Sequence, residues 1–419
     1  MVLKVDVPST LVSGDVDEGY GPVADEFRRN FAERGEIGAA CCVVRDGVRV
    51  VDLWGGYRDG LTRAPWERDT LVTMFSTTKG VASMAVAVAH ARGLLDYDER
   101  VATYWPEFAA HGKQEVTVRQ LLSHQAGLAA IDQPLDLERL ADLDALADAL
   151  AAQAPAWEPG TRHGYHGVTL GWYEGELIRR VDPAGRSLGR FLAEEIARPL
   201  GVEFHIGLPD DVDEERIATI HGFRPPEMLR HLHEMPPRFV LAFLNPRSLT
   251  ARAFSNPKVL GEIGNYNLPE VRRLELPAAN GTGEVRGVAR AYGAMATGGE
   301  QLGLGTATLD ALGQPARPPT DGLRDLVLHV DTTYSLGYWK PFPRLRFGTS
   351  AGRAFGTPGA GGSFGFADPD AGIGFAYAMN RAGFRPWDDP REVALRDALY
   401  RRVLGEAPQR PDGARGRSR

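Results

Sequence analysis

The sequence predicts an α+β fold in which both ends of the chain build one lobe and a mainly helical lobe is inserted between them. Strand patterns lie near the N-terminus, helical segments broken by proline and glycine fill residues 107–285, and strand patterns then return. Strands at both ends around a helical middle are typical of a lobe built from the two termini. We therefore expect an α/β lobe with a central antiparallel sheet from residues 1–106 plus 286–408. A disordered tail is expected at 409–419.

The chain opens with a helix and a hairpin. Apolar Val23, Phe27 and Phe31 recur at helical spacing and predict a helix within residues 16–36. The stretch "GAACCVVRDGVRVVDLWGGYRDG" follows as two strands joined at Asp46-Gly, a dipeptide typical of hairpin turns.

The two cysteines, Cys41 and Cys42, are adjacent in the first strand of this hairpin. Neighbouring side chains on a strand point to opposite faces. A disulfide between them is therefore not expected.

A long helix rich in alanine, valine and methionine is predicted from residue 76 to about residue 95, ending near Gly93. Its apolar composition indicates a central, buried position. Near the C-terminus, "GGSFGFADPDAGIGFAYAMN" contains two alternating apolar runs around a turn at residues 368–372, which predicts a second hairpin.

Composition favours a globular protein that acts on a small molecule. The net charge is −7, 43% of residues are hydrophobic, and no basic stripe carries interleaved aromatics, so no nucleic-acid or membrane partner is expected. No signal peptide pattern is present, and the sequence predicts a cytoplasmic protein. His231-x-His233 lacks helix-face spacing and a nearby third ligand, so neither a metal nor another cofactor is expected.

Ser-x-x-Lys occurs twice. Ser76 and Lys79 lead into the long apolar helix, where residues i and i+3 share a face, so the lysine amine can reach the serine hydroxyl. Ser255 and Lys258 precede a glycine-rich segment that makes a poor helix, and Ser255 is interpreted as a cap or turn residue. For Ser76, two roles stay open: a nucleophile, or a helix cap worth about 1 kcal/mol.

A third candidate nucleophile lies near the C-terminus. Gly361-Gly-Ser363-Phe-Gly365 matches the Gly-x-Ser-x-Gly pattern of a nucleophile elbow, which requires a strand before it and a helix after it. Strand, turn and strand follow here. Ser363 is therefore interpreted as part of a glycine-rich strand edge that lines the site.

Several ordered motifs together resemble one superfamily. Ser76-Thr-Thr-Lys79, "LDYDERVATYWPEFAAHGKQEVTVRQLLSHQAGL", "WEPGTRHGYHGVTLGW" and "FGTPGAGGSFGFADPDAGIGFAYAMN" are similar to stretches of the serine β-lactamases and penicillin-binding proteins. The similarity spans residues 20–405, and the class C-like branch that includes family VIII carboxylesterases is the most similar. The resemblance implies a β-lactamase-like fold, with an antiparallel sheet flanked by helices.

The resemblance also implies roles. Ser76 attacks a carbonyl, and Tyr165, held partly ionised by the Lys79 cation, acts as the general base. The backbone N–H groups of Ser76 and of the strand near Ala360 form the oxyanion hole. The further residues expected to bind substrate are Thr357, Gly359, Gly361 and His166.

Two positions depart from the superfamily's motifs. Lys-Thr-Gly is replaced by Thr357-Pro-Gly359, and the asparagine of Tyr-x-Asn is replaced by Gly167. Both changes remove polar groups that engage the carboxylate and amide of a β-lactam. Esters or thioesters with apolar acyl groups are therefore the expected substrates, with weak or no β-lactamase activity.

The sequence leaves three functions open. The first is a carboxylesterase-like serine hydrolase that acts through a Ser76 acyl-enzyme. The second is an acyltransferase on the same scaffold that passes the acyl group to an alcohol or amine. The third is a catalytically silent binding protein of this fold. The sequence does not predict an oligomeric state.

Overall fold

The computed structural model describes residues 5–223 and 231–406, so the predicted tail at 409–419 lies outside it. The strands are β1 Val12–Val16, β2 Gly38–Arg45, β3 Val48–Asp59, β4 Ala64–Pro65, β5 Val72–Thr73, β6 Phe204–His205, β7 Thr282–Gly283, β8 Phe355–Pro358, β9 Phe364–Asp368 and β10 Ile373–Met379. The helices are α1 Gly21–Glu33, α2 Thr77–Ala91, α3 Val101–Tyr104, α4 Val118–Leu122, α5 Leu137–Ala141, α6 Leu143–Ala152, α7 Thr169–Val181, α8 Leu188–Leu192, α9 Arg198–Leu200, α10 Pro237–Phe243, α11 Leu249–Arg252, α12 Pro269–Arg273, α13 Val285–Ala296, α14 Thr306–Gly313 and α15 Pro390–Asp397. Within the two described ranges, no helix has the length and apolar character needed to cross a membrane.

The main sheet joins the two ends of the chain, which confirms the predicted fold class. Its antiparallel order is β1-β3-β2-β10-β9-β8, with β4 paired to β3. The pairing of β2 with β10 places Cys41 opposite Tyr377 and Cys42 opposite Ala376. Both predicted hairpins, β2–β3 and β9–β10, are present. The edge strand β1 has no alternating apolar pattern, and the sequence did not predict it.

Helices cover both faces of this sheet. Cys42 and Val44 belong to the apolar cluster that contains α2 and α13. Cys41, on the opposite face, packs in a second cluster with Phe27 of α1 and Leu395 of α15. The two thiols are free and buried, which confirms that adjacent strand positions keep them apart.

The first helix follows its sequence pattern. α1 buries Val23, Phe27 and Phe31 on one face. It begins at Gly21 with a proline in its first turn, a position that needs no backbone N–H. The helix predicted within residues 16–36 is confirmed.

α2 is the central helix of the molecule. Residues 77–89 are all buried, and the helix packs against α7 and β8. It ends at Ala91, and Gly93 follows with φ +70°, a left-handed conformation suited to glycine. The predicted buried helix ending near Gly93 is confirmed.

A second, three-stranded sheet anchors the chain just before α2. β5 pairs with β7, and β7 pairs with β6. Met74, next to β5, donates its N–H to Gly281 O at 2.9 Å. The segment before α2 is therefore hydrogen bonded to residues about 200 positions further along the chain. The boundaries of the two lobes stay predictions.

Candidate active site

Ser76 stands at a sharp turn of the backbone. Phe75, directly before it, has φ +45°, an unusual and strained conformation for a bulky residue. The Phe75 ring is held edge-on against Tyr266, with 5.1 Å between ring centroids. Ser76 is partly exposed, whereas the α2 residues after it are buried. The turn therefore presents the serine at the mouth of the central helix.

The hydroxyl of Ser76 does not cap the helix. The backbone of Ser76 is already helical, with φ −65° and ψ −10°, and its side chain makes no capping hydrogen bond within residues 5–223 and 231–406. Its Oγ instead accepts a hydrogen bond from Lys79 Nζ at 2.9 Å. Of the two roles left open by the sequence, the cap is wrong.

Lys79 is fully buried and has three neutral partners. Besides Ser76 Oγ, its Nζ donates to Gly167 O at 2.6 Å and to Ala278 O at 2.9 Å. Burial among neutral groups lowers the pKa of Lys79 to about 7, although the Glu174 carboxylate acts in the opposite direction. A substantial fraction of this lysine is therefore uncharged near neutral pH.

Tyr165 completes the polar group. It is buried, its ring centroid lies 4.9 Å from Lys79 Nζ, and its side chain is hydrogen bonded with Ser76. Burial raises the pKa of Tyr165 above its ordinary value. The hydrogen bond with Ser76 lowers that pKa, but by a smaller amount than burial raises it. This direction is opposite to the expected partly ionised tyrosine. The structure favours a neutral phenol beside a lysine that loses its proton readily.

Glu174 is a buried acid that the sequence analysis missed. It lies on α7, and its Oε1 accepts a hydrogen bond from Ser83 Oγ at 2.6 Å. Burial raises the pKa of Glu174 to about 8, with Ser83 and Lys79 acting in the opposite direction. Ser83 is four residues after Lys79 on α2, on the same helix face. A carboxylate within the apolar stretch "VTLGWYEG" was the available signal.

The residues after β8 approach the start of α2 closely. A Cβ atom on Gly359 would lie 2.2 Å from Ser363 Oγ and 2.5 Å from Met74 O, so no larger residue fits. Ala360, the next residue, is exposed. Gly361 has φ +85°, and its carbonyl accepts hydrogen bonds from Arg391 and Gly383. The backbone at Ala360 is thereby held beside the turn that carries Ser76.

Ser363 fastens this loop to the helix. Its hydroxyl donates to Met74 O at 2.8 Å and lies 3.0 Å from Thr77 Oγ1. Its exposed fraction is 1%, and strand β9 follows it. The structure therefore excludes the nucleophile elbow and places Ser363 at a strand edge behind the site.

Comparisons with known proteins identify the family of this chain. A family model described as Beta-lactamase matches residues 24–399. This chain belongs to the beta-lactamase family. It is 33% identical over 379 residues to Esterase/beta-lactamase LipL of Mycobacterium tuberculosis, which covers 88% of this chain and 83% of that protein.

Two solved structures extend the similarity to the whole fold of this family member. A family VIII carboxylesterase aligns with a TM-score of 0.82, and a penicillin-binding protein homolog from Caulobacter crescentus aligns with a TM-score of 0.79. Each is 38% identical, and each alignment covers 94% of this chain and 100% of the other. The chain is a serine hydrolase of the beta-lactamase family.

His166 is not available to a substrate of this enzyme, contrary to the expectation. It is fully buried, its Nδ1 donates to Gly164 O at 2.7 Å, and its Nε2 accepts the N–H of Leu128 at 3.2 Å. This pattern needs a neutral ring, and burial lowers the pKa of His166 to about 4. Its neighbour His163 is also buried and bonds to Leu323 O.

Thr357 also differs from its expected role. Its exposed fraction is 0%, and its Oγ1 points to the region of Gly80 and the Tyr292 hydroxyl under the site. A Cβ atom on Gly80 would lie 3.0 Å from that oxygen. Thr357 therefore supports α2 from below and offers no surface to a substrate.

The other predicted alternatives are resolved by local contacts. Ser255 Oγ donates to Ala251 O at 2.7 Å, and Lys258 begins a 3₁₀ turn, which confirms the cap or turn interpretation. His231 bonds to Glu234 and stacks on Phe384. In the part of the chain that the structure describes, no group of three or more potential ligands is placed to hold a metal ion.

Proposed function

We propose that this enzyme is an esterase that cleaves small esters through an acyl-enzyme on Ser76. The observation that supports this most strongly is the 2.9 Å contact between Ser76 Oγ and the buried Lys79 amine. A lysine whose pKa is about 7 can accept the serine proton near neutral pH. Among the residues that the structure describes, neither of the other two candidate nucleophiles, Ser255 and Ser363, is hydrogen bonded to a lysine; they bond to Ala251 O and Met74 O instead.

Acylation begins with uncharged Lys79. The amine takes the hydroxyl proton of Ser76 while Oγ forms a bond to the ester carbonyl carbon, and the carbonyl oxygen becomes an oxyanion. The N–H groups of Ser76 and Ala360 stabilise that oxyanion. Two carbonyls, Gly167 O and Ala278 O, hold the new ammonium.

The same proton leaves with the alcohol. As the bond between carbonyl carbon and leaving oxygen breaks, Lys79 returns the proton through the hydroxyl of Tyr165, which is hydrogen bonded with Ser76. A neutral phenol can accept and donate in one step, so Tyr165 acts as a proton carrier and not as the resting base. Water then attacks the acyl-enzyme with Lys79 again as base, releasing the acid and restoring Ser76.

Esters fit this site better than β-lactams. The similar proteins include one named as an esterase/beta-lactamase and one described as a family VIII carboxylesterase. In this chain Thr357 and Gly167 offer no polar side chain to a β-lactam carboxylate or amide. Simple small esters and thioesters carry neither of these groups and need no such partners.

The test compares Ser76→Ala with Ser255→Ala, the serine of the second Ser-x-x-Lys pair. Turnover of p-nitrophenyl acetate should fall about 10³-fold or more in Ser76→Ala and stay at the wild-type rate in Ser255→Ala. A fluorophosphonate probe should label Ser76, as mapped by mass spectrometry. Full turnover by folded Ser76→Ala would contradict the proposal, and unlabelled, inactive wild type would favour a silent binding protein.

Product analysis identifies the acceptor of the acyl group. Because water and alcohols can both attack an acyl-enzyme, the reaction is repeated with millimolar butanol or an amine and the products are separated. Free acid as the main product supports an esterase. Preferential formation of the new ester or amide would make the enzyme an acyltransferase.

A further inference from the structure

We propose that Phe254, Phe239 and Phe243 form a binding site for an apolar acyl chain, and that the glycine at position 167 leaves room for the Phe254 ring of this site. We call these three phenylalanines the apolar wall. The inference rests on the proposed esterase function and specifies its substrate as esters of medium-chain fatty acids. It assigns a specificity role to residues that do not take part in bond formation.

The contact between Gly167 and Phe254 is the first observation. A Cβ atom on Gly167 would lie 2.5 Å from Phe254 Cε1 and 2.8 Å from Ala253 O. Any side chain at this position would therefore displace the ring. An aromatic ring occupies the space beside the position at which the superfamily's motif places an asparagine.

The apolar wall is continuous with the reacting groups. The Phe254 ring lies 6.3 Å from the ring of Tyr165 by centroids. Gly167, against which Phe254 packs, holds Lys79 through its carbonyl. Tyr165 is hydrogen bonded with Ser76 and its ring faces Phe254, so the Tyr165 side chain links Ser76 to the apolar wall.

The wall then extends outward to α10. Phe254 lies 6.3 Å from Phe239 and 6.3 Å from Phe243, and the last two rings are 5.8 Å apart by centroids. All three rings are only partly buried, so apolar surface remains open. α10 contains no fully buried residue, which is unusual for so apolar a helix.

An extended acyl chain would cover this open surface. Each methylene buried against apolar groups contributes enough free energy for about a fourfold gain in affinity. A polar or charged acyl group would lose its hydration against the three rings without gaining a partner. The wall therefore favours apolar acyl chains over polar or charged ones.

The test is a chain-length series of p-nitrophenyl esters from acetate through butyrate and hexanoate to octanoate. For the wild type, kcat/KM should rise by about fourfold per methylene until the wall is covered. Phe254→Ala and Phe239→Ala should each lower the ratio of octanoate to acetate kcat/KM about tenfold. Leu241→Ala is the matched control, because Leu241 is 71% exposed on the same helix, and it should leave the ratio unchanged.

Gly167→Ala tests the contact directly. The added methyl group should displace the Phe254 ring and lower the same ratio, whereas Gly167→Ala combined with Phe254→Leu should recover part of it. Labelling of Ser76 by a fluorophosphonate and circular dichroism establish that each variant is folded. Phe254→Leu alone covers the case in which Phe254→Ala does not fold.

Two outcomes would overturn the inference. One is a wild-type series that is flat or falls with chain length. The other is an equal loss on all four esters in folded wall variants. The proposed function fails separately, through absence of acetate turnover or of labelling at Ser76, so the two failures are distinguishable.

Discussion

The loop at residues 359–363 lies beside the turn that carries Ser76, whereas the apolar wall adjoins Tyr165 and Gly167 of the same site, and different forces hold the two regions. The loop is hydrogen bonded to α2 through Ser363, which contacts Met74 O and Thr77 Oγ1, and it admits only glycine at position 359. The three rings of the apolar wall contact one another and Tyr165 through apolar faces and stay partly exposed. Directional bonds determine one geometry, whereas apolar contacts tolerate several. In the proposed mechanism, the loop that supplies the Ala360 donor is therefore held firmly and the proposed acyl-binding wall is adaptable.

Substitutions in the two regions should affect activity in different ways. Changes on the hydrogen-bonded side should lower activity equally for short and long esters, because every ester forms the same oxyanion. Changes in the apolar wall should depend on chain length. Measurements on acetate and octanoate in parallel therefore separate the two regions.

The largest effect is expected for Lys79→Arg. Arginine keeps its charge at any accessible pH and cannot accept the serine proton, so kcat/KM should fall about 10³-fold or more on both esters. Lys113→Arg is the matched control, because Lys113 is also buried and also donates to two backbone carbonyls, Ala151 O and Gln153 O. Substantial activity in Lys79→Arg would remove the lysine base from the mechanism.

A smaller effect is expected for Ser363→Ala. Loss of its hydroxyl frees the 359–363 loop from Met74, and the misplaced donor at Ala360 should lower kcat about 10- to 100-fold with little change in KM. The loss should be equal for acetate and octanoate. Ser335→Ala removes another buried hydroxyl, bonded to Leu312 O, and should reduce thermal stability without this fall in kcat. A loss confined to octanoate would contradict the division between the two regions.

The smallest expected effect is a pH dependence. Because protonation of Lys79 removes the base and its pKa is about 7, kcat/KM should fall as the pH drops through 7. Between pH 8 and pH 6 the fall should be about tenfold, since the uncharged fraction changes by that factor. The rate is followed at the isosbestic wavelength of nitrophenol. A profile with no limb near pH 7 would contradict Lys79 as the titrating base.

Local patterns were enough for much of the fold. The Asp46-Gly turn, the spacing of Val23, Phe27 and Phe31, and the apolar run after Ser76 each act over a few residues, and their predicted elements are present. Edge strand β1 was missed because its mostly exposed residues show no alternation of apolar and polar side chains. Pairings between distant strands depend on the whole chain, and only the two-ended strand pattern indicated them.

The sequence by itself determined that Ser76 and Lys79 share a helix face, because helical spacing requires it. It also determined the class of site through motifs spread along the chain. Only the tertiary structure decided that His166 and Thr357 are buried, that Glu174 lies near Lys79, and that Phe254 fills the space beside Gly167. Exposure and the pKa of a group depend on neighbours from distant segments, and a linear motif does not contain those neighbours.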